Sequence, residues 1–175
     1  MTSSSNVGGR PWTAHPFAPQ HASEREWSWY HAFRRIRHAE RHPDEPLSSN
    51  ETVEKTMKVP DLYWRNVRLY FRDDDAIVGF CDFDSPKPDA PEYASNRHLV
   101  YGSLGVVMSH RRRGIGTAML REALQELDRR EASVLTMWTC EDDGHAFAAW
   151  CGAAPKQVER ISRMDFEALD WDAMQ

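Results

Sequence analysis

The 175 residues are enough for one domain with a core of its own and too few for two ordinary ones. Hydrophobic residues make up 41% and charged residues 28%, with seven Trp and seven Phe, which excludes a disordered or fibrous chain and calls for an aromatic core. A net charge of −5 argues against a nucleic-acid partner, no apolar stretch has the length of a membrane span, and the N-terminus lacks signal-peptide order, so a cytoplasmic protein is expected.

Residues 1–11, rich in Ser, Asn and Gly, read as a flexible tail. Trp12 to Phe17 fits a short strand that Pro16 and Pro19 confine to a sheet edge. Ser23 and Glu26 stand at capping-box spacing before Trp27, Tyr30, Phe33, Arg34 and Arg37, which predicts a helix over 23–41 with one aromatic face. The Pro43 to Pro46 run stops it, and Ser48 with Glu51 predicts the cap of a shorter helix ending near Pro60. Tyr63 to Phe71 and Ala76 to Phe83 then form a hairpin around Asp73-Asp74-Asp75. That triplet reads as a solvated turn and not a metal site, since consecutive side chains point in different directions. Asp82 and Asp84 alternate with Phe83 and share a face that either meets a cationic amine or is simply wet. The proline-rich segment 85–96 is a loop long enough to shape a substrate mouth.

His98 to Met108 reads as a strand, Ile115 to Arg130 as a helix with Ile115, Met119, Ala123 and Leu127 on one stripe, and Val134 to Cys140 as another strand. That order implies a parallel pair joined by a crossover helix, and so a mixed α/β sheet. A short helix from Gly144 to Cys151 and an extended segment from Lys156 to Phe166 complete the pattern. Trp138, Phe147 and Trp150 read as core or as pocket walls. Cys81, Cys140 and Cys151 have no CxxC spacing and are expected to be reduced thiols without a zinc ion.

The chemistry centres on Arg111-Arg112-Arg113-Gly114-Ile115-Gly116-Thr117, between the apolar strand and the helix that follows. The first amides of a helix lack internal acceptors and carry the positive end of its dipole, so they are ready to hold an anion. Gly114 and Gly116 allow close backbone approach, and the arginines add charge at the rim; a diphosphate is the natural occupant. Against this stands a plain reading in which the glycines make a turn and the arginines are solvated. Neither the Gly-Lys-Ser/Thr of a nucleotide loop nor the Gly-x-Gly-x-x-Gly of a dinucleotide site is present. The Arg triplet as a basic patch for nucleic acid fits poorly with the acidic total.

Arg111-x-x-Gly114-x-Gly116, preceded by Leu104-x-Val106, resembles the Arg/Gln-x-x-Gly-x-Gly/Ala signature of the GNAT superfamily of N-acetyltransferases. The helix 115–130, the strand 134–140 and the Phe147 to Gly152-Ala153 segment are similar to the elements that complete the family's acyl-CoA site. The resemblance implies a GNAT-like, mostly antiparallel sheet with a splayed central parallel pair and flanking helices. It implies an acyl-CoA-binding domain over 12–167, with 168–175 a C-terminal tail or connector. Acetyl-CoA is the implied co-substrate, with no metal. Backbone groups of Val106, Val107 and Met108 are implied to pair with the pantetheine arm, and Arg111, Arg112, Arg113, Gly114, Ile115, Gly116 and Thr117 to hold the pyrophosphate. An amide near Val106 is implied to stabilise the developing oxyanion.

Acyl transfer to an amine needs a base for the amine and an acid for the departing thiolate. Where many relatives have a Tyr acid this chain has Ala148, and Val100 stands where some have a Glu base. Glu141 is the expected base, against a role as helix cap, and Tyr101 the expected acid, against cross-strand packing. Ser103, His98 and His145 are further groups within reach. The function implied is acetyl transfer to a small-molecule or peptide amine; the alternative is a non-catalytic acyl-CoA-binding module, a sensor or a structural half. The chain also resembles the N-terminal half of tandem GNAT proteins, which implies a second GNAT domain, or a second copy in a homodimer, as partner.

Overall fold

A computed structural model describes residues 12–159. The expectations for 1–11, for 160–166 of the last extended segment and for 168–175 lie outside the described residues. The chain divides after Trp138 into two compact units, each described by itself.

The first unit is built on a five-stranded sheet in the order β1-β2-β3-β4-β5: β1 (His15–Pro16), β2 (Trp64–Asp73), β3 (Ala76–Pro86), β4 (Leu99–Val106) and β5 (Val134–Met137). Pairing is antiparallel from β1 to β4 and parallel between β4 and β5. The hairpin turn is Asp74-Asp75, with Asp74 in the left-handed region at φ 47°, a conformation that Asp tolerates better than most residues.

α1 (Glu24–Arg41) starts at the predicted capping box: the Ser23 hydroxyl accepts from the Glu26 amide, and the Glu26 carboxylate accepts from the Ser23 amide. Its aromatic face packs on one side of the sheet, where Tyr30 and Phe33 meet Phe80 and Trp27 meets Phe17. α2 (Asn50–Lys58) is capped by Ser49 through the Thr52 amide, one residue later than Ser48. Both serines precede the helix; the one whose hydroxyl reaches the amide three residues on takes the role. The loop after β3 carries a single helical turn, α3 (Tyr93–Asn96), and Lys87 ties it to the α2–β2 connection through the Asp61 and Leu62 carbonyls.

α4 (Ile115–Arg130) crosses the other side of the sheet and returns the chain to β5. Ile115, Met119 and Ala123 are at most 1% exposed, as the stripe requires. Gly79 on β3 makes this approach possible, because a Cβ there would lie 2.5 Å from Met119 Cε and 2.8 Å from Ile115 Cγ2. Glu126, also buried, is held by Arg129 and Arg130 at 3.2 and 2.6 Å.

In the second unit, α5 (Asp142–Trp150) follows Glu141 and is capped by Cys151, after which Gly152 takes φ 77°. Residues 152–159 form no helix or strand. Trp150 here and Trp138, the last residue of the first unit, are 67% and 63% exposed, which corrects the core half of the expectation that they are core or pocket walls. β5 ends at Met137 and not at Cys140. Among the described residues no helix is long and apolar enough to cross a membrane, and no group of three His, Cys, Asp or Glu side chains is placed to hold a metal ion.

Candidate active site

The turn between β4 and α4 begins with a single 3-10 turn over Met108–His110. Arg112 and Gly114 then both adopt left-handed backbone, at φ 62° and 85°. Left-handed backbone costs a residue with a Cβ about 1–2 kcal/mol, so Arg112 stores a little strain that Gly114 avoids. The first internal bond of α4 runs from the Ala118 amide to the Gly114 carbonyl. No side chain caps this helix, so the amides of Ile115, Gly116 and Thr117 sit ahead of its first internal donor, at the positive end of the dipole. Ile115 anchors the turn in the core, and the Trp12 indole donates to the Arg113 carbonyl at 2.7 Å. An anion brought here meets backbone donors on a fixed frame, with arginines at the rim.

Beside the turn, β4 has an open edge. Its pairing with β5 stops at Gly102–Met137, whereas β3 pairs with β4 as far as Val106. The Val107 amide donates to the Val78 carbonyl on β3. By the alternation of an antiparallel ladder, the backbone groups of Val106 and Leu104 therefore face away from β3, on the side where β5 has left the sheet. The Val106 carbonyl accepts from Arg111 Nε at 3.3 Å. The Met108 amide donates to Glu40 Oε1 at 2.7 Å, and Glu40 in turn accepts from Arg37 at 2.6 Å. Nothing in the sequence pairs position 40 with 108; only the docking of the last turn of α1 brings them together.

The two faces of the sheet next to this edge differ. On the α4 side Cys81, Phe83 and Val100 are sealed, at 0–1% exposed, and burial pushes the Cys81 thiol well above its usual range. The register puts Asn66 and Arg68 of β2, Asp82 and Asp84 of β3, and Tyr101 and Ser103 of β4 together on the opposite, α1 side. There α1 packs against Phe80 and Tyr70; beyond them Asn66, Arg68, Asp82, Asp84 and Tyr101 are half-buried and Ser103, in the middle of a central strand, is exposed. Arg68 Nε donates to Asp82 at 3.1 Å and Asn66 donates to Asp84 at 2.6 Å. Burial pushes the Asp82 carboxyl up to about 6, a rise that Asp84 adds to and that Arg68 opposes.

Tyr101 lies on this polar face, half-buried, with its ring edge-on to Trp64 at 5.5 Å. Val100, one residue earlier, points into the sealed face and is fully buried. Glu141 opens α5 in the second unit, where its carbonyl accepts from the His145 amide and its side chain makes no capping bond. His98 and His145 are exposed. The alternation of Asp82 and Asp84 was legible in the sequence, whereas Trp64, Asn66, Arg68 and Glu40 gave no signal of their own.

A mixed sheet split beside an uncapped, glycine-opened helix N-terminus defines the class: an α/β protein in which a strand edge runs up to a cluster of backbone donors. The description "Acetyltransferase (GNAT) family" matches residues 16–152, and the chain belongs to that family. Solved structures agree on the fold. A tandem GNAT protein from the clavulanic acid biosynthesis pathway matches with a TM-score of 0.65 at 19% identity, over 81% of this chain and 43% of its own. This chain thus spans less than half of that tandem protein. An integron cassette protein from V. cholerae matches with a TM-score of 0.62 at 16% identity, over 95% of this chain and 100% of its own. AAC(6')-Iy, solved with the bisubstrate analogue CoA-S-monomethyl-acetylneamine, matches with a TM-score of 0.60 at 11% identity, over 89% of this chain and 99% of its own. A search of curated proteins finds no match.

Proposed function

We propose that the chain is an acetyl-CoA-dependent N-acetyltransferase that moves the acetyl group to a primary amine by direct attack. The observation that carries this reading is the uncapped N-terminus of α4 beside the unpaired edge of β4, in a chain of the GNAT family. The amides of Ile115, Gly116 and Thr117, with the turn Arg111-Arg112-Arg113-Gly114, hold the pyrophosphate of acetyl-CoA. The pantetheine arm runs along β4, where Val106 offers its backbone. Val107 fixes that edge by its bond to β3, and Met108 joins in when Glu40 releases its amide.

Attack by the amine nitrogen on the thioester carbonyl needs a proton acceptor for the amine, and collapse of the intermediate needs a proton for the sulfur. Tyr101 serves as the acid, supported by its place on the polar face. Glu141 is one carboxylate available as the base. The acceptor is a small-molecule or peptide amine met in the cytoplasm. By analogy with the tandem relative, the partner is a second GNAT domain or a second copy of the chain.

Titration calorimetry with CoA and acetyl-CoA tests the donor half; absence of binding at high micromolar concentration refutes it. Thiol release across an amine panel tests transfer. A second reading, an acyl-CoA-binding module without catalysis, is favoured by Val100 and Ala148, which put apolar groups where relatives carry a base and an acid. Binding without thiol release would select it.

A further inference from the structure

Beyond Phe80 and Tyr70 the α1 side of the sheet is half-buried, with Ser103 exposed at its centre. This face holds a carboxylate that is only partly open to water. The Asp82 side chain is 31% exposed and packs against Arg68 of β2, which is itself 20% exposed. Its neighbours across the strands are Arg68 on one side and Ser103 on the other. From α1, the Tyr30 hydroxyl is pushed above its usual range by burial, a rise that the charge of Asp82 adds to and that Arg34 opposes. Asp84, two residues on along β3, turns to Asn66.

Asp82 is also placed by the register next to the split. Its partner Ser103 is the first residue of β4 beyond the last β4–β5 pair, Gly102–Met137. A ligand arm lying along the open edge at Leu104 and Val106 therefore ends one strand away from this carboxylate. A nucleophile approaching over this face would pass it. Among the described residues one donor reaches Asp82, the Arg68 Nε, and the remaining lone pairs of a carboxylate can accept a proton.

We propose that Asp82 is the proton acceptor of the transfer step, taking the proton from an ammonium acceptor that enters across the α1 side of the sheet. This inference rests on the transferase reading. The ammonium gives one proton to the Asp82 carboxylate and becomes a neutral amine. The nitrogen lone pair then forms the N–C bond at the thioester carbonyl, and the C–S bond breaks with its electrons going to sulfur. The second nitrogen proton ends on the thiolate, and Asp82 returns its proton to solvent, so that the products are the amide, CoA thiol and one proton. The acceptor class that needs this step is a cationic alkyl amine; an aromatic amine, already neutral near pH 6, does not.

The test uses the full chain with acetyl-CoA and a panel of 1,4-diaminobutane, 2-amino-2-deoxyglucose, lysine amide and 4-methoxyaniline. For wild type, kcat/KM on a cationic amine should rise with pH through about 6, the range in which Asp82 ionises beside Arg68, Asp84, Tyr30 and Arg34. Asp82→Asn should bind CoA within about twofold of wild type and lose roughly 100- to 1,000-fold in kcat on the cationic amines, with the acidic limb abolished. Loss on 4-methoxyaniline should be much smaller. Asp82→Glu should restore part of the rate and the limb, which a fold defect would not allow. Asp82→Asn with wild-type kcat and an unchanged limb overturns the proposal and leaves the transferase reading standing. Wild type that binds CoA but releases no thiol with any amine overturns the transferase reading and the proposal with it.

Discussion

Replacing Gly114 by Ala separates two costs that the site combines. Gly114 sits at φ 85°, and a Cβ built there meets no protein atom within 4 Å. The folded protein therefore loses only what left-handed backbone costs an alanine, about 1 kcal/mol, or a fall of roughly 2–4 °C in Tm for a chain of this size. Gly152 supplies the control, since it sits at φ 77° with equally open space around its Cβ. If the pyrophosphate of acetyl-CoA lies against the Gly114 backbone, the new methyl stands in the ligand's space. Crowding of that kind costs about 1–3 kcal/mol, which corresponds to roughly a 5- to 150-fold rise in Kd. Gly114→Asp adds charge repulsion and should abolish binding. The assay is calorimetric titration of CoA into wild type, Gly114→Ala, Gly114→Asp and Gly152→Ala, with thermal unfolding alongside. Equal Tm losses for the two alanine variants and a Kd increase over wild type for Gly114→Ala are expected. A Gly114→Ala protein that binds CoA as tightly as wild type would refute the placement of the phosphate at this turn.

Glu40→Ala should lower stability by about 3 kcal/mol, because it removes the carboxylate that the little-exposed Arg37 meets at 2.6 Å and leaves the Met108 amide without its acceptor. Glu40→Gln keeps an oxygen for that amide and should cost less, a difference that chemical denaturation resolves. The raised Asp82 carboxyl makes a signed pH prediction: the native state holds this proton between its usual 3.8 and about 6, where the unfolded chain has lost it, so Asp82's contribution to stability falls as pH rises through that window. Asp82→Asn should therefore gain on wild type in Tm between pH 4 and pH 7, by at most about 3 kcal/mol before the partial exposure of the side chain is discounted. A gap that stays constant with pH would show the opposite. With a thiol reagent, exposed Cys140 should react in the native protein, whereas buried Cys81 should react only on unfolding. This also sets the blank for any thiol-release assay.

The elements were legible wherever local chemistry decides them. The Ser23–Glu26 box opens α1, the stripe Ile115-Met119-Ala123 is buried as its spacing requires, and the aspartate run turns the hairpin. Strand ends were read less well, because pairing decides where a strand stops. Val134 to Cys140 looks uniform in sequence, yet only Val134 to Met137 has a partner on β4. The exposed Trp138 and Trp150 show the limit of reading burial from hydrophobicity alone. In the site, the glycines and arginines of the turn announced themselves, since an anion-binding turn is a local object. The polar face did not. Arg68, Asp82 and Ser103 are separated by 14 and 21 positions along the chain, and only the strand register makes them neighbours.

The contrast between the two faces of the sheet also bears on how such a protein can change. Under α4, Val100, Cys81, Phe83, Ile115 and Met119 are at most 1% exposed, and a Cβ on Gly79 would collide with Met119 and Ile115. Drift there is paid in stability. On the other face Asn66 is half-buried and Ser103 exposed, where replacement disturbs little packing. One face of the sheet thus holds the fold while the other leaves room for sequence change, in keeping with solved structures that share the fold at 11–19% identity.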